Sequence, residues 1–312
     1  MKKIIPILLI TLAFLINYCS AAVKISVLDV GQGDATLIQT SEQNILIDTS
    51  DVDERLKLER ELYRLGAYRI DKLILTHPHA DHIGNAAYLI KSGVIKVKSV
   101  YDNGVISGSK LYLNYVTECI RRNVNRDVLN AGAVLDFGEG CRFIVYSPHG
   151  KEVELLNNGD VESDANNESI VGRLEYGNFS MLFTGDAEQP AEEKIMEQLQ
   201  PVNVLKAGHH GSKTSSGAKF LQTIKPECVI ISAGEPTQKR GGNTYGHPHP
   251  QSLERFAMAG VNKDKIYWTW KNGTITIESD GEKYTVTPQT PVSWYDKYLI
   301  ERIGYTVNVT KL

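Results

Sequence analysis

One short segment of the sequence carries an unusual density of side chains that bind metals. The stretch THPHADHIGN places His77, His79, Asp81 and His82 within six residues. His77 and His79 alternate, so on an extended segment both project to the same side and can hold one ion. Asp81 and His82 follow where the chain should turn into a helix, and they can hold a second ion. Such ligands suit Zn²⁺, Mn²⁺ and Fe²⁺, whereas Mg²⁺ and Ca²⁺ would require more oxygen ligands.

Two other segments could complete such a site. Asp186 in LFTGD and His209 in KAGHHGS each follow an apolar strand pattern and precede a helix pattern. Open α/β sheets bind ligands at the carboxyl ends of their strands, so these side chains should approach the histidine segment. Asp186 could bridge two cations, although a helix N-cap is an alternative role for it. Two ions held in this way would lower the pKa of a bridging water, which makes hydrolysis the expected reaction.

The elements that must position these residues form an α/β pattern. Three apolar runs separated by GQGD and SEQN predict a β-meander over residues 23–47. Strands and helices then alternate, which is typical of a sandwich whose sheets carry helices outside. Near the end, KIYWTW, TITIES and KYTVTP with NG and DG turns predict a small three-stranded C-terminal β-meander. This meander could be an accessory domain or could complete a sheet, and residues 289–312 have no clear assignment.

The first 22 residues differ in character from the rest of the chain. Lys2 and Lys3 precede an apolar run from Ile4 that is too short to span a membrane, and small residues end at Ala22. This pattern predicts a signal peptide that is cleaved near Ala22 and leaves no stable membrane span. The mature protein would then be secreted, periplasmic or in the cell envelope. A retained anchor or a lipid at Cys19 is the alternative.

Charge and cysteine content restrict the possible partners and the source of stability. Loss of Lys2 and Lys3 with the signal would change the formal net charge from −3 to −5. Binding of nucleic acid must therefore depend on a local basic patch and not on the overall charge. Cys119, Cys141 and Cys228 are widely spaced, which excludes a disulfide framework and a cysteine zinc site.

The ordered motifs are similar to those of a known family. HxHxDH after a buried strand, followed by TGD and GHHGS, resembles the metallo-β-lactamase superfamily. DVGQGDA, ILIDT, NNESIV and YGHPHP resemble more narrowly the hydrolase domain of ComEC/Rec2-type competence proteins. The resemblance implies an αββα sandwich with two divalent metal ions, Zn²⁺ or Mn²⁺, in a free-standing exported relative. The predicted division is a signal at 1–22, a hydrolase domain at 23–262, the small meander at 263–290 and an unassigned tail at 291–312.

The resemblance also implies roles for individual residues. It assigns His77 and His79 to the first ion, Asp81 and His82 to the second, Asp186 to the bridge, His209 to the last ligand position, and Asp48 to a buried acid that organises the histidine segment. One further histidine, usual upstream of the bridging aspartate, is absent here. Asn166 or Asn167 should face the site instead, which weakens the ligand set of the first ion.

The loops around these ligands could recognise the substrate. Ser212 and Lys213 follow GHH and suit phosphate oxygens, although a solvated basic loop is the alternative interpretation. His210 could be a ligand or a donor to the substrate, and His247 should line the cleft. Asp81, His210 and Lys213 are thus the predicted catalytic residues.

These features predict a phosphodiesterase or nuclease that acts on DNA or related nucleotides through hydroxide attack at phosphorus. A hydrolase of a carboxylic ester, lactone or β-lactam could use the same ions and is the main alternative. A non-catalytic binding protein is a third class, which the complete set of ligands argues against. The oligomeric state is open.

Overall fold

The structure is a computed structural model that describes residues 23–157, 164–239 and 242–303. The predicted signal peptide, Cys19 and residues 304–312 of the tail lie outside the described residues. Within the described ranges, none of the helices has the length and hydropathy needed to cross a bilayer.

Strands make up much of the described chain. They are β1 (Val23–Val27), β2 (Thr36–Gln39), β3 (Asn44–Ile47), β4 (Arg69–Ile70), β5 (Lys72–Leu75), β6 (Lys96–Val97), β7 (Ser99–Asp102), β8 (Asn125–Val128), β9 (Val134–Gly138), β10 (Cys141–Ser147), β11 (Val171–Tyr176), β12 (Phe179–Phe183), β13 (Val204–Lys206), β14 (Cys228–Ile231), β15 (Ile266–Trp268), β16 (Ile275–Ser279) and β17 (Tyr284–Pro288).

Helices alternate with these strands after the first three. They are α1 (Arg55–Arg64), α2 (Ala80–Ile83), α3 (Ala86–Ser92), α4 (Lys110–Arg122), α5 (Gly150–Asn157), α6 (Gln189–Ile195), α7 (Ala218–Ile224), α8 (Pro250–Met258), α9 (Thr269–Asn272) and α10 (Tyr295–Ile303). Short 3₁₀ turns cover Val52–Glu54, Met196–Gln198, Gly208–Gly211 and Lys263–Lys265.

The strands form two large mixed sheets. The first has the order β17-β16-β1-β2-β3-β5-β7-β8 and the second the order β15-β14-β13-β12-β11-β10-β9, while β4 and β6 form a small separate pair. The predicted meander β1-β2-β3 is antiparallel, and β3, β5, β7 and β8 then run parallel. In the second sheet β12 to β15 run parallel. The predicted α/β fold is thus confirmed.

Alternation of apolar side chains explains the four layers. In β3, Ile45 faces the core between the two sheets, whereas Leu46 faces the core under α1 and α3. In β12, Met181 faces the core between the sheets, whereas Leu182 faces the core that holds Phe220 of α7. Successive side chains of a strand point to opposite faces, so a strand that is apolar at every position can be buried on both sides. Helices therefore cover both outer faces of an αββα sandwich.

The C-terminal segments complete both sheets, which was one of the two alternatives. The predicted three-stranded meander is wrong in one respect, because β15 pairs in parallel with β14 in the second sheet. Only β16 and β17 form a hairpin, and β16 also pairs with β1 in the first sheet. The reason is that WTWKNG is not a tight hairpin turn. Its residues form the one-turn helix α9, and Gly273 follows at φ 66, so the chain crosses from one sheet to the other.

Part of the unassigned tail is ordered against this crossing. α10 and the residues just before it pack on Trp268, whose ring centroid lies 5.1 Å from that of Trp294 and 5.0 Å from that of Tyr298. Tyr295 Oη donates a hydrogen bond of 2.6 Å to the carbonyl of Leu253 in α8. Trp294, Tyr295 and Tyr298 therefore belong to the core of the second sheet.

Candidate metal centre

Three strand ends bring the predicted ligands together at one edge of the sheets. The histidine segment follows β5 and turns into the one-turn helix α2, as the sequence predicted. Asp186 follows β12, and His209 and His210 follow β13 in a 3₁₀ turn. Gly185 makes the approach of Asp186 possible, since it has φ 50 and an added Cβ would lie 2.9 Å from Ser169 Cβ.

The Asp186 carboxylate occupies the middle of this arrangement and is buried. Its Oδ1 lies 3.2 Å from His82 Nε2. Its Oδ2 lies 3.8 Å from His77 Nε2, 3.7 Å from His209 Nε2 and 3.6 Å from His210 Nε2. One carboxylate that faces imidazole nitrogens with both oxygens has the geometry expected of a bridging ligand. The helix N-cap alternative is not needed to explain its position.

Among the described residues, four groups of side chains could hold a divalent ion, and two of these groups do not include Asp34. His77, His82 and Asp186 form one of the two, and Asp81, His82 and His210 form the other, with the donor atoms of each group within 4.8 Å of one another. His79 adjoins the first group, because its Nδ1 lies 3.0 Å from His77 Nε2. These two groups share His82, and His210 of the second group lies 3.6 Å from Asp186 Oδ2 of the first.

The two adjacent histidines differ in position. His210, and not His209, lies beside Asp81, with 3.1 Å between His210 Nε2 and Asp81 Oδ2. His209 Nε2 lies 3.7 Å from Asp186 Oδ2, and its Nδ1 donates to Glu188 Oε1 at 3.0 Å. The structure therefore favours His210 as a ligand of the second ion and leaves His209 at the rim of the site.

The residues present fit a divalent cation. His82 Nε2 and Asp186 Oδ1 are buried and lack a hydrogen-bond partner, although they lie only 3.2 Å apart. Unpaired buried polar atoms are costly, and an ion between them would satisfy both. His82 Nδ1 donates to Asp48 Oδ2 and His210 Nδ1 donates to the Ser232 carbonyl, both at 2.8 Å. These bonds direct each Nε2 lone pair toward the centre.

Asp48 holds the histidine segment from beneath, as the resemblance implied. Besides the bond from His82, its Oδ1 accepts from the Thr76 backbone N–H and its Oδ2 from Thr76 Oγ1, both at 2.8 Å. The residue is fully buried and has φ 61, in the left-handed region that non-glycine residues seldom adopt. Such strain at a ligand-supporting position is typical of functional sites.

Opposite charges compensate one another among the candidate ligands. Burial would raise the pKa of the Asp81 carboxyl, but its hydrogen bond to His210 and the charge of His82 lower it. Burial would lower the pKa of His210, but the Asp186 charge and the bond to Asp81 raise it to about 9. Burial and the charge of His82 lower the pKa of His77. Protons bound to His82 and His210 therefore occupy positions that metal ions would take, and metal binding would release these protons.

The structure distinguishes the two asparagines that could replace the missing histidine. Asn166 lines the cleft above the centre, and its Oδ1 is buried without a hydrogen-bond partner. Asn167 Oδ1 instead accepts from the Glu188 backbone N–H at 3.3 Å. Asn166 is therefore the one available to an ion or a substrate. His149 belongs to neither ligand group and does not line the cleft within the described residues.

The predicted substrate residues line a cleft of about 680 Å³ that opens over the centre. Ser212, Lys213 and His247 all contribute to its wall, and Lys213 is exposed. Ser212 Oγ lies 2.9 Å from Thr214 Oγ1, so two hydroxyls stand beside the lysine.

Sequence reasoning missed a buried ion pair beneath the centre. Lys206 Nζ donates to Asp34 Oδ2 at 2.9 Å, and both side chains are almost fully buried. The Asp34 backbone N–H also donates to the Asp81 carbonyl at 3.0 Å. Gly33 permits this approach, because an added Cβ would lie 2.5 Å from that carbonyl oxygen. The signal was present in the motifs DVGQGDA and LKAGHHGS, which contain Asp34 and Lys206.

Comparisons with known proteins agree with this fold. A family model described as the metallo-beta-lactamase superfamily matches residues 28–140. In solved structures, the metallo-beta-lactamase fold protein YhfI from Bacillus subtilis has a TM-score of 0.50 at 10% identity, covering 81% of this chain and 99% of that one. Igni18, a metallo hydrolase from Ignicoccus hospitalis, also has a TM-score of 0.50, at 14% identity over 82% of this chain and 99% of its own. The chain thus contains a hydrolase domain of the metallo-β-lactamase superfamily.

Curated relatives indicate a narrower group within this superfamily. ComE operon protein 3 of Bacillus subtilis is 30% identical over 285 residues, which cover 85% of this chain and 34% of that protein. Recombination protein 2 of Haemophilus influenzae is 32% identical over 241 residues, which cover 75% of this chain and 26% of that protein. The chain is a relative of the ComEC-type competence proteins, as its motifs predicted, and spans about a third or less of their length.

Proposed function

We propose that the chain is a phosphodiesterase that cleaves DNA or a related nucleotide polymer. The observation that carries this proposal is the composition of the cleft. The same cleft is lined by ligands of the candidate centre, among them Asp186, and by Ser212, Lys213 and Thr214. A lysine cation beside a metal centre suits the non-bridging oxygens of a phosphate, because charged donors bind phosphate most strongly.

The proposed centre uses two divalent ions, Zn²⁺ or Mn²⁺. His77, His79 and Asp186 would hold the first, with Asn166 beside it, and Asp81, His82, His210 and Asp186 would hold the second. When bound, such ions lower the pKa of a water toward neutrality and offset charge on the reacting phosphate. Asp48 keeps His82 in the tautomer that presents Nε2, and Ser232 does the same for His210. Lys213 would hold the phosphate in place.

The relatives support a nucleic-acid substrate in a limited way. Two of them are named a competence protein and a recombination protein, but this chain spans only 33% and 26% of their lengths. The net negative charge predicts that binding to DNA is weak and sensitive to salt, so the local basic side chain must dominate.

The test is a comparison of three substrates with the full chain loaded with Mn²⁺ or Zn²⁺. We expect turnover of single-stranded DNA and of bis-p-nitrophenyl phosphate, and none of a chromogenic β-lactam. His82→Ala should abolish turnover. Lys213→Ala should raise KM for DNA about tenfold through loss of a charged hydrogen bond, whereas Lys219→Ala, an exposed lysine of α7, should not. Turnover of the lactam alone would replace this proposal by the β-lactam, lactone or ester alternative.

Export belongs to the same proposal. A cleaved signal would deliver the enzyme to the envelope or the medium, where it would meet external DNA. The mass of the protein recovered from those fractions should correspond to a chain that begins at Val23. Recovery of a chain that still begins at Met1 in the cytoplasm would contradict export without affecting the proposed reaction.

A further inference from the structure

An aromatic side chain stands exposed at the mouth of the cleft. Tyr245 lines the cleft, yet its side chain is 70% exposed. Its ring lies nearly parallel to that of His247, with 16° between the planes and 5.7 Å between the centroids. One face of Tyr245 is therefore covered by a protein ring, and the other face is open to a ligand.

The support beneath Tyr245 is rigid. His247 is buried, and its backbone N–H donates to Asn243 Oδ1 at 3.0 Å, as does that of Gly246. Asn243 Nδ2 donates in turn to the carbonyls of Gly234 and His247. One fully buried amide thus fixes the backbone of the turn that carries Tyr245 before a ligand binds.

A row of rings in stacked or edge-to-face contact extends from the mouth of the cleft toward the candidate centre. We call Tyr245, His247 and His249 the aromatic wall. His247 meets His249 edge to face at 4.7 Å and meets His209 at 5.5 Å between ring centroids. His249 Nδ1 accepts from the Lys213 backbone N–H at 3.0 Å, which ties the aromatic wall to the proposed phosphate loop.

We propose that Tyr245 stacks an unpaired nucleobase of the strand whose phosphate lies over the metal centre. This inference rests on the proposed phosphodiesterase function and narrows it to a substrate that is single-stranded at this position. An open aromatic face beside a cation is the usual means by which proteins hold single strands without reading their sequence. Bases of a duplex are stacked on their neighbours on both faces, so a duplex gains nothing from Tyr245.

The test compares two oligonucleotides of equal length and charge, one of thymidines and one of abasic sugars. We expect Tyr245→Ala to lower kcat/KM for the thymidine strand about tenfold, since stacking on one aromatic side chain contributes on that order. Tyr245→Phe keeps the ring and should cleave like the parent. On the abasic strand, the parent and Tyr245→Ala should be equal. Tyr68→Ala, which removes a tyrosine that is 60% exposed on another face, is the matched control.

The outcomes separate the two proposals. If the parent cleaves both strands and Tyr245→Ala changes neither rate, the stacking inference is wrong and the phosphodiesterase proposal stands. If Tyr245→Ala slows both strands equally, Tyr245 supports the site and does not bind a base. If the parent cleaves neither strand, both proposals fail.

Discussion

Adjacent residues of one motif can face different partners, and that difference decides which of them can bind an ion. His209 and His210 both have left-handed backbone angles, φ 47 and φ 54, so the turn directs their rings apart. The motif GHHGS predicted a histidine ligand after β13, and the structure indeed places histidines around Asp186. Which of the two lies beside Asp81 depends on the local turn and on the carbonyl of Ser232. Residue spacing in the sequence specifies neither the turn nor the contact with that carbonyl, so the sequence could not show which histidine lies beside Asp81.

The missing histidine gives a prediction at the scale of one residue. Asn166→His should supply an imidazole next to the first ion and should make the first site retain its metal longer, because imidazole is a stronger ligand than an amide for Zn²⁺. The measurement is the number of ions per chain that survive a timed exposure to a chelator. Asn167→His is the matched control, since Asn167 Oδ1 is already used by the Glu188 backbone. Equal retention by both variants would show that Asn166 does not adjoin the ion.

Strands buried on both faces were predictable, whereas elements at the edges were not. β12 and β13 are apolar at almost every position, and the sequence predicted a strand before Asp186 and another before His209. β8 was missed because NRDV at the edge of the first sheet is largely exposed and shows no apolar pattern. α10 was missed because only contacts with Trp268, distant in sequence, make its tyrosines part of a core. Tertiary context, not local pattern, specifies both elements.

Two helices hold the loop that carries Lys213. Glu192 of α6 accepts from the backbone N–H groups of Ser216 and Gly217, at 2.5 and 2.8 Å. Arg255 of α8 donates to the carbonyls of three loop residues, at 2.9 Å to Lys213, 2.6 Å to Ser215 and 2.8 Å to Ser216. The backbone N–H groups of the loop are thus bound by a carboxylate, and its backbone carbonyl groups are bound by a guanidinium.

This support predicts an unusual dependence of stability on pH. Burial, partly offset by the loop N–H groups, raises the pKa of Glu192 from 4.5 to about 7. A carboxyl whose pKa is raised on folding stabilises the fold when protonated, and that contribution is lost as pH rises from 4.5 to about 7. The loss amounts to at most about 3 kcal/mol. In denaturant unfolding without metal, Glu192→Gln should therefore gain stability relative to the parent between about pH 5 and about pH 8. Glu193→Gln changes an exposed neighbour and should show the same dependence of stability on pH as the parent. If the stability of Glu192→Gln also changes with pH as that of the parent does, the pKa of Glu192 is not raised.

The two sheets are joined beneath the candidate metal centre by an ion pair. Asp34 comes from the connection between β1 and β2 in the first sheet, and Lys206 ends β13 in the second. The ligands are divided in the same way, with the histidine segment after the first sheet and Asp186 and His210 after the second. The geometry of the centre therefore depends on how the two sheets are positioned relative to each other. No single sequence motif specifies that relative position.

Lys206→Met tests whether the ion pair fixes the relative position of the two sheets. The change leaves the Asp34 carboxylate buried without its cation, and breaking one side of a buried pair typically costs about 3–5 kcal/mol of unfolding free energy. Asp34→Asn combined with Lys206→Met should cost less than the sum of the single changes, because no unpaired charge remains. Both variants should bind less metal, since the Asp34 backbone holds the Asp81 carbonyl. Lys263→Met breaks the exposed pair with Asp296 and should cost no more than about 1 kcal/mol. If Lys206→Met unfolds at the same denaturant concentration as Lys263→Met and keeps its metal, the ion pair does not join the two halves of the site.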